Sequence, residues 1–228
     1  MKGMAMKTVA MKEVAMKEVA MKQRRIGLTG GIASGKSTVG ALLRRRFGLP
    51  VLDADLYARE ALAPGTAASA AVLNRYGAAV LAGLGTAPAI DRAALGQIVF
   101  ADAGERQWLE QLIHPLVRRR FAKELARLAE APVLVLMIPL LFEAGLQDLC
   151  SEVWLVDCEP KQQLNRLISR SSLSEAQARA RIGAQWPLER KRPLADRLID
   201  NRGAAEELVA QVAQQLRCCD PPGPGTTW

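Results

Sequence analysis

The sequence predicts an α/β fold in which five short parallel strands form a sheet covered by helices on both faces, three layers in all. Three observations predict it. Residues 30–37 read Gly-Gly-Ile-Ala-Ser-Gly-Lys-Ser, between a short apolar run and a helical pattern. Apolar runs then alternate with helical patterns as far as residue 217. Among them, Pro132-Val-Leu-Val-Leu-Met-Ile138 is apolar throughout, as a strand buried on both faces requires. With 228 residues, 50% of them hydrophobic, the chain is long enough for one such domain with small insertions.

The elements follow in order. Met-Lys recurs at 1, 6, 11, 16 and 21. A period of five matches neither helix nor strand, so residues 1–23 read as a disordered or weakly helical low-complexity extension. The first strand is Arg24-Arg-Ile-Gly-Leu-Thr29, and a helix follows the glycine loop over 38–47. Leu49-Pro-Val-Leu-Asp-Ala-Asp55 is a short strand ending in two carboxylates, with a helix over 56–62. Residues 63–90, rich in Ala, Gly and Pro, form loops around a helix at 67–76. Helices are predicted at 91–100, at 104–112, and from Pro115, a favoured first helical residue, to about Glu130. Pro139-Leu-Leu-Phe-Glu143 closes the strand over 132–138, and Glu152–Asp157 is the next strand. Helices at 160–170 and 174–185 precede an Arg/Pro-rich stretch over 186–197. The last strand is 196–200, the last helix 203–217, and 218–228 reads as a frayed tail.

Composition narrows the function. The formal net charge is +8, which raises nucleic acid as a partner. Five lysines against two glutamates in residues 1–23 supply part of it, and aromatic residues are 4% of the chain. Single-strand binders interleave basic residues with stacking platforms, so arginines serving polyanionic small substrates explain the charge better than a polynucleotide does. No apolar run approaches a membrane span of about 20 residues. Cys150, Cys158, Cys218 and Cys219 show no C-x-x-C spacing, consistent with reduced thiols in a cytoplasmic protein. One histidine, His114, leaves too few ligands for a Cys/His zinc site. No Asn/Thr-Lys-x-Asp guanine motif occurs, which argues against a GTP switch.

The chemistry concentrates at 30–37. G-x-x-x-x-G-K-S between a strand and a helix is a phosphate-binding loop. Its glycines let backbone N–H groups turn onto phosphate oxygens, and the helix aims its positive end at the same charge. Lys36 reaches the β- and γ-phosphates and the Ser37 hydroxyl takes one position on Mg²⁺, so a nucleoside triphosphate is the expected ligand. Ligands of parallel sheets bind beyond the carboxyl ends of the strands, which adds weight to Asp53, Asp55, Pro139 to Glu143, Asp157 and Asp200 to Gly203.

The ordered motifs resemble the dephospho-coenzyme A kinase family. They are Leu28–Ser37, Asp53-Ala-Asp55, Asp91-Arg92 with Val99-Phe100, Ile113-His-Pro115, Pro139–Glu143, Arg166 with Arg170, and Ile199-Asp-Asn-Arg-Gly203. The resemblance spans about residues 24–216 and implies a P-loop NTPase-type three-layer αβα domain over 24–217. It also implies a helical acceptor-binding insert over about 56–130 and a lid over about 171–197. The implied reaction moves the γ-phosphoryl of ATP to the ribose 3′-hydroxyl of dephospho-coenzyme A, the last step of coenzyme A biosynthesis, with Mg²⁺ as cofactor. Gly30, Gly31, Ile32, Ala33, Ser34, Gly35, Lys36, Ser37 and Thr38 would bind ATP, with Asn201 and Gly203 near the adenine. Asp55 is the expected base and Asp53 a brace of the metal's water or of the loop. Each has a plainer alternative, a helix N-cap for Asp55 and a strand-end turn for Asp53. Arg166 and Arg170, four apart on one helix face, would stack on adenine and reach phosphate, unless they are a solvated pair. Arg179, Arg181, Arg190 and Arg192 are weaker lid candidates. His114, Pro139, Leu140 and Glu143 join Asp55 in the acceptor pocket, and a purely structural His114 is the alternative. Ala33 departs from the family, which usually carries glycine there; if that position needs a positive φ, alanine costs about 1 kcal/mol.

Overall fold

The computed structural model describes residues 23–82 and 88–217. The extension at 1–22 and the tail at 218–228 therefore lie outside the described residues. Seven strands are present among them: β1 (Arg24–Gly30), β2 (Val51–Asp53), β3 (Leu81–Ala82), β4 (Ala89–Ile90), β5 (Val133–Met137), β6 (Glu152–Asp157) and β7 (Arg197–Asp200). Five of them form one sheet in the order β2-β5-β1-β6-β7. Parallel pairing joins β1 to β5 and β6, and β6 to β7, with Leu28 opposite both Met137 and Trp154. The central strand is thus the one that runs into the glycine loop, where successive crossovers leave in opposite directions and open a crevice.

The described residues of Met1–Val51 and Glu130–Trp228 form one compact unit, and Leu52–Ala129 a second. In the first unit, alternate residues of the strands supply the core under the helices α1 (Lys36–Arg45) and α9 (Ala205–Arg217). Ile26, Leu28, Val135, Met137, Trp154, Val156 and Ile199 pack there with Val39, Leu43, Leu208 and Val212. The intervening Leu134, Leu136 and Leu155 are fully buried as well, so both sheet faces are covered. The remaining helices of this unit are α6 (Pro160–Ser171), α7 (Glu175–Gly183) and α8 (Leu188–Lys191). Capping boxes, Glu159 with Gln162 and Ser174 with Gln177, start α6 and α7.

The second unit holds α2 (Ala54–Ala61), α3 (Ala67–Tyr76), α4 (Arg92–Ala101) and α5 (Ala103–Arg127). Two features of this unit differ from the sequence-based expectation. The helices expected at 104–112 and from Pro115 are one continuous helix, with Pro115 inside it and His114 in mid-helix rather than at a start. An internal proline costs about 3 kcal/mol. The buried stripe Ile113, Val117, Phe121, Leu125 runs straight through it, and burying each large side chain returns about 1.5–3 kcal/mol. Packing outweighs the lost hydrogen bond, and Gln111, the residue whose carbonyl loses its donor, is exposed. Second, the stretch read as loops at 63–90 also carries the antiparallel pair β3–β4. Two-residue strands are too short to show an alternating pattern.

Candidate active site

The glycine loop leaves β1 and enters α1 with the geometry its residue types dictate. Gly35 is the N-cap of α1 at φ 101°, a left-handed conformation, and no side chain caps the helix. A Cβ at Gly35 would collide with the Asn201 amide. The first turn carries no acidic residue, so the positive end of α1 is uncompensated. Lys36 opens the helix and is buried, whereas Ser37 and Thr38 are exposed. The N–H groups of Ala33, Gly35 and Ser37 make no hydrogen bond among the described residues. Ser34 is fully buried, and its hydroxyl has no partner among them either. Open amides, an uncapped helix end and a buried lysine form a cradle for an anion.

Ala33 does adopt a positive φ, 59°. For an alanine this costs about 1–2 kcal/mol. Its neighbours are held closely: Ile32 N–H donates to Gln185 Oε1 at 2.9 Å, and Ile32 C=O accepts from Gln163 Nε2 at 2.8 Å. Asn201 Nδ2 donates to Ser34 C=O at 2.8 Å.

At the end of β2, Asp53 is the N-cap of α2, its Oδ1 accepting from Asp55 N–H at 2.9 Å. The capping role considered for Asp55 therefore belongs to Asp53. Asp55 is exposed in the first turn of α2. His114 is half-buried on α5.

After β5, Pro139 C=O accepts from the Thr29 hydroxyl at 3.1 Å, and the half-buried Leu140 lends its carbonyl to Ala144 N–H. Glu143 Oε1 pairs with Lys191 Nζ at 2.7 Å and accepts Trp186 N–H at 3.0 Å. Lys191 is fully buried. Glu143 thus ties α8 to the end of β5, since a lysine removed from water needs its counter-charge close by.

Arg166 and Arg170 lie on one face of α6. Arg166 Nη2 donates to Asn201 C=O at 2.9 Å, and its buried Nη1 has no partner among the described residues. Arg170 is exposed. Among the lid candidates, Arg179 pairs with Glu175 and Arg190 lies 3.4 Å over the Trp186 ring. Arg192 spans both Asp157 oxygens at 3.1 Å, and that carboxylate holds the Arg192 guanidinium's pKa above its ordinary value. Asn201 N–H donates to Asp157 C=O at 2.8 Å, and Gly203 is exposed in the turn after β7.

A family model described as dephospho-CoA kinase matches residues 24–207. The chain belongs to the dephospho-CoA kinase family. It is 62% identical over 206 residues to the dephospho-CoA kinase of Parasynechococcus marenigrum, covering 90% of this chain and 100% of that one. It is 64% identical to that of a Synechococcus strain over 195 residues, 86% of this chain and 93% of the relative. A crystal structure of TT1252 from Thermus thermophilus superposes with TM-score 0.73 at 38% identity, covering 86% of this chain and 97% of that one. A dephospho-CoA kinase from Campylobacter jejuni gives TM-score 0.62 at 26% identity, covering 85% and 95%. Membership makes the chain a kinase that phosphorylates an alcohol group, at the final step of coenzyme A synthesis. Its sheet and flanking helices are the P-loop αβα fold of that family.

Two residues that brace the phosphate loop, Gln163 and Gln185, are not among the site residues the sequence points to. Each acts through one hydrogen bond to a distant segment, 131 residues away for Gln163 and 153 for Gln185. No local spacing marks such partners.

Proposed function

We propose that the chain moves the γ-phosphoryl of ATP to the ribose 3′-hydroxyl of dephospho-coenzyme A, with residues 30–38 as the ATP site. The observation that carries this is the uncapped start of α1, with Gly35 left-handed and open amides beside the buried Lys36. Phosphoryl transfer leaves a protein mainly positioning and charge neutralisation to perform. The loop amides and Lys36 would hold the β- and γ-phosphates, and the unpartnered Arg166 Nη1 suits a further phosphate oxygen. Arg170 would stack on the adenine, and Asn201 and Gly203 run beneath it.

The exposed Ser37 hydroxyl fits Mg²⁺, a hard cation that takes oxygen ligands and keeps several waters. Substrate phosphates and waters would supply its other ligands, as is usual for this ion in kinase sites. When bound, the ion draws charge from the β- and γ-oxygens. Asp55 would accept the proton of the attacking hydroxyl, and it is free to do so because Asp53 caps the helix. His114, Pro139 and Leu140 would contact the acceptor, with Glu143 shaping that wall through Lys191 and Trp186. Residues 56–130 would form the acceptor-binding insert and 171–197 the lid. The cytoplasm would be the setting and small molecules the partners; among the described residues no helix is long and apolar enough to cross a membrane.

The acceptor is tested directly. Purified protein receives ATP, Mg²⁺ and one of dephospho-coenzyme A, adenosine, AMP, gluconate or shikimate, with products identified by mass and phosphorus NMR. Dephospho-coenzyme A phosphorylated at the 3′-oxygen, with the highest kcat/KM, is expected. Preference for any of the other four would overturn the acceptor while leaving the kinase fold in place.

A further inference from the structure

We propose that Gln163 and Gln185, with Asn201, are positioning residues that hold the phosphate loop in its anion-binding form against the backbone strain at Ala33. Among the described residues only Ala33 and Ser172 combine a side chain with a positive φ. Ser172 ends a helix, where that conformation is common. Ala33 instead sits in the middle of the phosphate loop. Strain of this kind persists only where the surroundings over-determine the conformation.

The surroundings of Ala33 do so from both sides. The preceding residue, Ile32, has its N–H and its C=O each engaged by a glutamine, at 2.9 Å and 2.8 Å. The following residue, Ser34, has its C=O engaged by Asn201 at 2.8 Å and its N–H by Gly31 C=O at 3.1 Å. Gln163 is buried on α6, and a Cβ on Gly31 would run into its amide nitrogen. Asn201 is itself held by Asp157 C=O and by Arg166. The peptide before Ala33 is thus tied by Gln163 and the one after it by the Gly31 carbonyl. Gln185 and Asn201 fix the next peptides outward, so a rotation at Ala33 works against all of these bonds.

Rotation is what relief of the strain requires. Taking Ala33 to a negative φ swings those peptides and turns the amides of the loop off the phosphates. The expected consequence is weaker ATP binding with little change in turnover once ATP is bound, because the relaxed loop is a competing state of the free protein. A glycine in place of Ala33 takes the same φ without strain, so the clamp should matter far less in that background. The inference rests on the proposal that this loop binds ATP.

The test is a set of double-mutant cycles. Gln163→Leu and Gln185→Leu are made alone and with Ala33→Gly, and Mg²⁺-ATP binding is measured by calorimetry beside KM and kcat. Circular dichroism melts establish that each variant is folded; should a leucine variant not fold, the near-isosteric Gln→Met change replaces it. In the alanine background Kd and KM for ATP should rise about tenfold or more, about 1.4 kcal/mol, with kcat within about twofold. Adding Ala33→Gly should bring Kd back to within about threefold of the parent. Unchanged affinity in the single variants, or an equal loss with and without Ala33→Gly, overturns the clamp. Failure of the parent protein to bind ATP would instead overturn the reading of the loop as an ATP site, and the clamp with it.

Discussion

Asp53 and Asp55, two like residues two positions apart, take different duties: Asp53 caps a helix, and the proposed mechanism gives Asp55 the proton. One Asp53 oxygen is committed to the Asp55 N–H, so its first duty is to start α2. Asn caps as well as Asp does, so Asp53→Asn should leave the melting temperature unchanged, while Asp53→Ala loses about 1 kcal/mol. Asp55 carries no such duty. Asp55→Asn should keep the melting temperature and lower kcat at least about a hundredfold, with little change in KM for ATP, as removal of a general base does. Unfolding curves and steady-state kinetics on the three variants separate the roles. Normal turnover in Asp55→Asn would leave the proton to another acceptor. The sequence shows both carboxylates at a strand end but cannot assign the cap, because a shift of two residues in where the helix starts decides it.

At the scale of elements, legibility follows the length and periodicity of the signal. The strands at Val133–Met137 and Glu152–Asp157 and the helix at Pro160–Ser171 stand where the apolar runs and the helical pattern over 160–170 place them. The helix Ala103–Arg127 does not, because a proline read locally is a boundary while the buried stripe is satisfied only by continuing. A long-range clasp fastens this helix to α3, again without a local pattern. Glu105 accepts from Nε and Nη2 of Arg75 and, at 2.6 Å, from the Tyr76 hydroxyl. Tyr76 also meets Trp108 edge to face, with ring centroids 5.7 Å apart. The Arg75 hydrogen bonds first, then that of Tyr76, hold the Glu105 carboxyl at about 2, below its ordinary 4.5. A depressed carboxylate pKa gives stability that is complete above 4.5 and is lost as pH falls through about 2. The urea midpoint of the parent should therefore exceed that of Glu105→Gln above pH 4.5, with the gap closing towards pH 2. A gap independent of pH across that window would remove ionisation of Glu105 from the clasp.

For the whole molecule, the phosphate loop links ligand binding to global stability. The loop is braced by Gln163 on α6, by Gln185 after α7 and by Asn201 after β7, so its conformation is tied to the order of those segments. A ligand that binds only the folded chain stabilises it by mass action, about 2.7 kcal/mol at a hundred times Kd. For a chain of this size each kcal/mol raises the melting temperature by about 2–4 °C, so saturating Mg²⁺-ATP should raise it by roughly 5–11 °C. Lys36 is buried at the start of α1, where the proposed site would place the nucleotide's charge. Lys36→Met should retain the ligand-free melting temperature within a few degrees, because methionine is similar in length and keeps the apolar stem of this buried side chain. It should lose most of the ATP-dependent rise, since the phosphates then lack the one buried cation in the loop, and phosphoryl transfer should fall to background in a single-turnover assay. A full ATP-dependent rise in Lys36→Met together with near-normal transfer would separate this loop from the chemistry. A full rise with transfer abolished would confine Lys36 to the transition state and leave nucleotide binding to the amides.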